Sequence, residues 1–288
     1  MTKRPDRIVD CHVHLWDPAR TDWYPYLASG QAPEIGDSSG MARLFDVPTY
    51  LAESAGWNVT KLVNVAAATG VYSIEETLEL DRRANAEGHP DAIIGGVVHT
   101  STDVESLAQI DRQMSAERFR GVRPMGRTES PLPSPEVLAG LQERGLLFEL
   151  MAHPDRLSEA AALLEPFEDL VVVVEHAGWP RSSSSDEWKL WAEGLAQLEA
   201  LGERIVCKLS GLAMPTGSMR TDDLRPWIDH AISTFGVPRC MFASNFPVDG
   251  LHGTFDQLYT AFSEITSTLD DGSRDRLFAT NAERVYRC

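Results

Sequence analysis

The sequence predicts an α/β protein folded as a (β/α)8 barrel, and three observations carry that expectation. Eight short β-branched runs recur along the chain, and from the second onward they start 24 to 36 residues apart, the length of one βα unit. The segments between them repeat apolar residues at helical spacing. The main alternative is a doubly wound open sheet, but no GxGxxG turn follows the first run and no GxxxxGK(S/T) phosphate loop is present.

The runs are RIVDCHVHL (7–15), KLVNVAA (61–67), AIIGGVVH (92–99), FRGVRPM (119–125), LLFELMAH (146–153), LVVVVEHAG (170–178), RIVCKLSG (204–211) and CMFASNFPV (240–248). Between them, Ser73 and Glu76 have the spacing of a capping box, and Gly88 closes that helix. Val104, Leu107, Ile110 and Met114 mark one helix face, and Trp188, Trp191, Leu195 and Leu198 another. Phe255, Leu258, Phe262, Ile265 and Leu269 follow the 3-4-3-4 rhythm of a third. Residues 222–235 form a further helix, capped by Thr221. Core packing accounts for all these apolar stripes. One connection is long, from Trp16 to about Thr60, and its WDPARTDWYPYL segment suits a lid on the rim after the first strand. No Pro/Gly linker divides the chain, so residues 1–288 read as one domain.

Composition narrows the function. With 26 Lys and Arg against 43 Asp and Glu, the formal net charge is −17. Nucleic acid and anionic membrane surfaces are bound mainly by Lys and Arg, so neither is expected as a partner. The start, MTKRPDRIVDC, lacks the continuous apolar stretch of a signal peptide. The most apolar run, Leu170–Val174, is far short of the roughly 20 residues of a membrane span. Four scattered cysteines without a CxxC pair point to reduced thiols and a cytoplasmic protein.

The sharpest chemical signal is Asp10-Cys11-His12-Val13-His14 on the first strand. Side chains alternate along a strand, so His12 and His14 share a face and Cys11 and Val13 face the helices. Two imidazoles at the end of a first barrel strand are a common start for a divalent metal site. Polar residues end other runs: Arg123, Glu149 and His153, Glu175 and His176, Lys208 and Ser210, and Ser244 with Asn245. In a barrel, the C-terminal ends of the strands converge on one pocket.

These pieces together resemble the amidohydrolase superfamily, in its amidohydrolase-2 branch of lactonases and related enzymes. The matching segments are VDCHVHLWDP, GVR at 121–123, EHAGWP at 175–180, KLSGL at 208–212, FASNFPVD at 242–249 and NAERVYR at 281–287. The resemblance implies a distorted (β/α)8 TIM barrel with its site on the C-terminal rim. It also implies a hydrolase opening a small lactone of the sugar-acid, muconolactone or pyrone-carboxylate type. His12, His14 and His176 would be the metal-binding or carbonyl-polarising cluster, with one divalent ion (Zn or Mn) or none. A lactone isomerase or decarboxylase on the same scaffold, or a barrel without activity, are the alternatives.

The sequence departs from the family pattern at the eighth strand. Where the pattern has Ser-Asp, this chain has Ser244-Asn245. A neutral amide accepts no proton and ligates Zn poorly, though it can hold a water or a substrate. The water-activating base must then come from elsewhere. His153, Glu149 and Asp249 are candidates, with His153 favoured because a neutral imidazole needs little tuning near pH 7. The substrate is expected to be an anionic or polyhydroxylated lactone. Arg123 would clamp a carboxylate, Lys208 and Asp249 would contact substrate, and Trp16 with the Tyr24–Tyr26 stretch would cover the ring.

Overall fold

The computed structural model describes residues 3–32, 35–98, 101–125 and 132–288. Eight parallel strands pair in chain order: β1 (Ile8–Val13), β2 (Val59–Val65), β3 (Ala92–Val98), β4 (Phe119–Met125), β5 (Leu147–Leu150), β6 (Val172–Val174), β7 (Ile205–Leu209) and β8 (Cys240–Phe242). Each coincides with one of the eight expected runs; His99, the last residue of the third, lies outside the described residues. Helices follow the strands, among them α1 (Tyr72–Glu87), α2 (Asp103–Gln113), α3 (Pro135–Glu143), α4 (Leu157–Leu164), α5 (Ser185–Glu199), α6 (Thr221–Phe235) and α7 (Phe255–Ile265). The chain is a (β/α)8 barrel.

Its closure is unusual. β1 and β8 share no ladder within their spans, and the gap is bridged just beyond β8. The Asn245 amide donates to the His12 carbonyl and the His14 amide to the Phe246 carbonyl, both at 2.9 Å. Below this seam the Asp10 carboxylate acts as a staple: one oxygen accepts from the Ser244 amide at 2.8 Å, the other from the Tyr50 hydroxyl at 2.7 Å. Tyr50 comes from the short helix Val47–Glu53 of the long rim connection, so that segment helps to close the barrel.

The lumen below the rim is lined by alternate strand residues, including Val9, Val63, Ile94, Leu147, Val173, Val206 and Met241. A last helix, α8 (Asn281–Tyr286), plugs the N-terminal end. Ala282, Val285 and Tyr286 join the lumen cluster, while Asn281 donates to the Val237 and Cys240 carbonyls at 2.7 Å each. Arg120 and Lys61, at the starts of β4 and β2, donate to the carbonyls of Tyr286 and Cys288. The NAERVYR segment is therefore the floor of the barrel.

Several local expectations need correction. In β1, Asp10 lies opposite Leu62 and Val13 opposite Asn64, so three steps on one strand match two on the other. This bulge breaks the alternation: Cys11 turns into the lumen cluster, and only Val13 packs outward. Ser73 and Glu76 form no capping box, because α1 starts at Tyr72 and Ser73 lies inside it. Glu76 is instead a buried acceptor that takes the Tyr24 hydroxyl and the amides of Ala67 and Ala68. The boxes are Thr102 with Glu105 and Thr254 with Gln257. Thr221 is the first residue of α6 rather than its cap, and Leu269 lies past the end of α7. Among the described residues, no helix is long and apolar enough to cross a membrane.

Replacing Asp10 by Ala strands the Ser244 amide and the Tyr50 hydroxyl without partners. The expected cost is about 3 kcal/mol, seen as a lower urea midpoint at unchanged slope. A midpoint equal to that of the wild type would show that the staple is dispensable.

Candidate active site

Six strands deliver polar side chains to the upper lumen. β1 presents His12 and His14, β4 Arg123, β5 Glu149 and β7 Lys208; Glu175 with His176 follows β6, and Asn245 follows β8. All are buried. Glu175 is the polar strand end named beside His176, and parity gives its direction: Val173 faces the lumen, so the residue two further along does too.

The cations are already matched. Lys208 donates to both oxygens of Glu149, at 2.8 and 2.7 Å, and to Nδ1 of His12 at 3.3 Å. Tyr286 reaches up from the floor and donates its hydroxyl to Glu149 Oε1 at 2.6 Å. Arg123 faces Glu175 at 3.3 Å and donates to the Ala66 carbonyl at 2.6 Å, while its Nε has no partner among the described residues. Arg123 and Lys208, expected at a substrate anion, are thus each paired with a glutamate. Glu149, expected among the bases, has both oxygens engaged.

Nδ1 of His12 thus faces an ammonium, and its Nε2 lies 3.2 Å from Nε2 of His14. His14 in turn donates from Nδ1 to the Val65 carbonyl at 2.7 Å. His176 is held through Nδ1 by the Ser210 hydroxyl at 2.9 Å. Burial, reinforced by nearby cations, lowers all three imidazoles: His14 to about 3, and His12 and His176 well below the ordinary histidine range. All three are neutral at pH 7.

The supporting backbone is strained. His176, Ala177 and Trp179 adopt positive φ of 51°, 51° and 45°, with Gly178 between them, and Asn245 sits at 56°. This left-handed turn swings His176 back over the lumen, its ring centroid 4.6 Å from that of His12 and 4.6 Å from that of Trp179. Gly211 leaves the room: a Cβ there would lie 2.5 Å from Nδ1 of His176. Trp16 is buried and stacks on His14 at 6.1 Å, with Tyr24 and Tyr26 behind it. His153 lies beyond Trp179, bonded through Nδ1 to that residue's carbonyl at 3.0 Å.

Asp249 is brought in from the turn after β8. Its amide bonds the Asn245 carbonyl, and its Oδ1 accepts from the Asn245 side chain at 2.8 Å. Asn245 also reaches His14. Oδ2 of Asp249 is buried without a hydrogen-bond partner. Burial raises this carboxyl to about 7, partly offset by the Asn245 hydrogen bond and by the Ala213 backbone amide. Glu175 is pushed up to about 8 by burial, against the pull of Arg123 and with Glu149 adding to the rise.

One group of donors suits a cation. An atom each from His12, Glu175 and His176 lie within 4.8 Å of one another, and Oε1 of Glu175 has no hydrogen-bond partner. Two imidazoles and a carboxylate match a borderline divalent ion such as Zn or Mn. His14 stands outside this group among the described residues, and an ion on Nε2 of His12 would replace the bond between the two histidines.

A family model described as amidohydrolase matches residues 9–288. The chain is similar to y4mH, an uncharacterised protein of Sinorhizobium fredii, with 31% identity across 97% of this chain and 98% of that protein. It is similar to an L-fucono-1,5-lactonase of Burkholderia ambifaria, with 28% identity across 97% and 95%. Among solved structures, an amidohydrolase of Burkholderia multivorans with bound zinc superposes at a TM-score of 0.80. That match has 22% identity over 97% of this chain and 99% of the other, a likeness of fold.

Two outcomes are expected. Metal analysis of the purified chain finds at most one equivalent of Zn or Mn, and His176→Ala abolishes it; two equivalents would refute the three-donor group. Gly211→Ala pushes His176 off the cluster, so metal uptake falls while the far-UV circular dichroism is unchanged; unaltered uptake would show that the close approach is unimportant.

Proposed function

The chain belongs to the amidohydrolase family, and from that premise we propose that it hydrolyses an uncharged, polyhydroxylated lactone. The observation that carries this reading is the buried, unpartnered oxygen of Asp249, held by Asn245 beside a cluster of neutral histidines. Charge sets the substrate class. Lys208 and Arg123 are each engaged by a glutamate rather than free for a substrate anion, and ionised Asp249 repels a carboxylated ring. A hydroxylated ring instead finds a free donor in Nε of Arg123 and acceptors in the buried carboxylates. The sugar-lactone name of the Burkholderia relative supports the same class. The chain acts as one domain over residues 1–288, in the cytoplasm, where its free cysteines stay reduced.

In this mechanism the lactone lies between Trp16 and Trp179. Ionised Asp249 takes a proton from water as the oxygen attacks the carbonyl carbon. The Ser210 hydroxyl can donate to Nδ1 of His176, which leaves Nε2–H of that ring to bond the carbonyl oxygen as it gains charge. A neutral imidazole suits this electrophilic role, since it yields no proton too early. The ring C–O bond then breaks, and the alkoxide recovers the proton from Asp249. The product hydroxy acid is an anion beside Asp249, which favours its release. A divalent ion held by His12, Glu175 and His176 would require the opposite tautomer in both rings, and would then supply the polarisation of the carbonyl in place of the His176 Nε2 hydrogen.

The test is a panel of aldonolactones against carboxylated pyrones and muconolactones, followed by acid release and by a product mass gain of one water. Neutral sugar lactones are expected to turn over; turnover restricted to the carboxylated rings, or products without added water, would sink the proposal. Asp249→Asn should lower turnover about 10²–10⁴-fold, with His153→Gln within a few-fold. The base works ionised, so kcat/KM rises with pH through about 7 and levels above it. Asn245→Ala removes a bond that favours the ionised form, and moves that limb to higher pH. A large loss in His153→Gln with none in Asp249→Asn would transfer the role of base to His153.

A further inference from the structure

The floor of the barrel is connected to the first-strand histidines by an unbroken buried chain. Tyr286 donates to Glu149 at 2.6 Å, Glu149 accepts Lys208 through both oxygens, and Lys208 donates to Nδ1 of His12 at 3.3 Å. All four side chains are essentially inaccessible to water. We propose that Tyr286, Glu149 and Lys208 are positioning residues that hold His12 with its hydrogen on Nε2, aimed into the site. This rests on the reading of the rim as a lactone-hydrolysing site, but its structural part stands without it.

The argument is one of hydrogen counting. The ammonium has three hydrogens: two meet Glu149, and among the described residues the third has only Nδ1 of His12 as acceptor. Were His12 to carry its hydrogen on Nδ1, two donors would face each other in a dry lumen, an arrangement that costs about 1–3 kcal/mol. Glu149 cannot turn away, because Tyr286 fixes Oε1 from below. Tyr286 is itself locked by α8, whose ends are tied to the starts of β2, β4 and β8. The aromatic ring also lies under the ammonium, 5.3 Å from Nζ to its centroid. With its hydrogen on Nε2, His12 acts as a donor rather than a metal ligand, and the loss of an outer partner that orients a histidine costs roughly 10–100-fold.

The experiment is a long-range proton–nitrogen spectrum of the purified protein labelled with ¹⁵N-histidine, with His12 assigned through His12→Gln. The expected wild-type signal is the Nε2–H form of a neutral ring. The double variant Lys208→Met/Glu149→Gln, which keeps the lumen neutral, should lose that preference. Tyr286→Phe, missing one hydroxyl, should shift the His12 nitrogens and lower kcat about tenfold, with KM within twofold. A wild-type His12 with hydrogen on Nδ1 overturns the proposal, as does a His12 signal unmoved in both variants. If the spectra behave as expected but no lactone is hydrolysed, the positioning network holds and the lactone reading fails. If lactones turn over and Tyr286→Phe leaves both kcat and the His12 nitrogens unchanged, the reverse is true.

Discussion

An ammonium group closed off from water sits in the lumen of this barrel, and the chain must neutralise it. Lys208 is wholly buried, and so is its partner Glu149. A buried charge that loses its partner costs about 3–5 kcal/mol, so these residues are bound to one another's presence. The rest of the site inherits that constraint. Glu149 is committed to Lys208 and is not a free base. The hydrogens of Lys208 are directed to Glu149 and to Nδ1 of His12, while the Val65 carbonyl, which can only accept, takes the hydrogen of His14 Nδ1. Arg123 repeats the arrangement with Glu175 on the neighbouring strands.

Both lumen cations among the described residues are held by glutamates rather than left open to the rim. The three histidines beside them are kept neutral by burial. Asp249 and Glu175 each keep an oxygen without a hydrogen-bond partner among the described residues, and of the two Asp249 is the one not set against Arg123. Its position also explains how the chain lives with Asn245 at the end of the eighth strand. The amide holds the carboxylate four residues on, so a carboxyl group remains at that corner, displaced by one turn.

Backbone strain is concentrated at the same corner and across from it. Among the described residues, five non-glycine positions have positive φ, and four are His176, Ala177, Trp179 and Asn245. Each costs of order 1 kcal/mol or more and persists because packing around it allows no other course. His176 can be bent back over the lumen only because Gly211 has no side chain to oppose it. The strain and the glycine are two halves of one device.

The strands, their order and the histidine pair were legible in the sequence, because period-2 and period-3.6 patterns are local properties of the chain. So was the convergence of Arg123, Glu149, His176 and Lys208 at strand ends, which follows from barrel topology once the strands are placed. Asn245 announced a missing carboxylate by residue type alone. What each polar group does was decided by partners distant in sequence. Lys208 meets Glu149 across 59 positions, and Tyr286 meets it across 137. Glu76 had the spacing of a cap, yet tertiary contacts made it the buried anchor of Tyr24. The bulge that turned Cys11 inward came from the pairing of β1 with β2, which no single strand encodes. Periodicity reports which face a side chain occupies, whereas a buried charge takes its role from the group that neutralises it, and only the folded chain brings that group within reach.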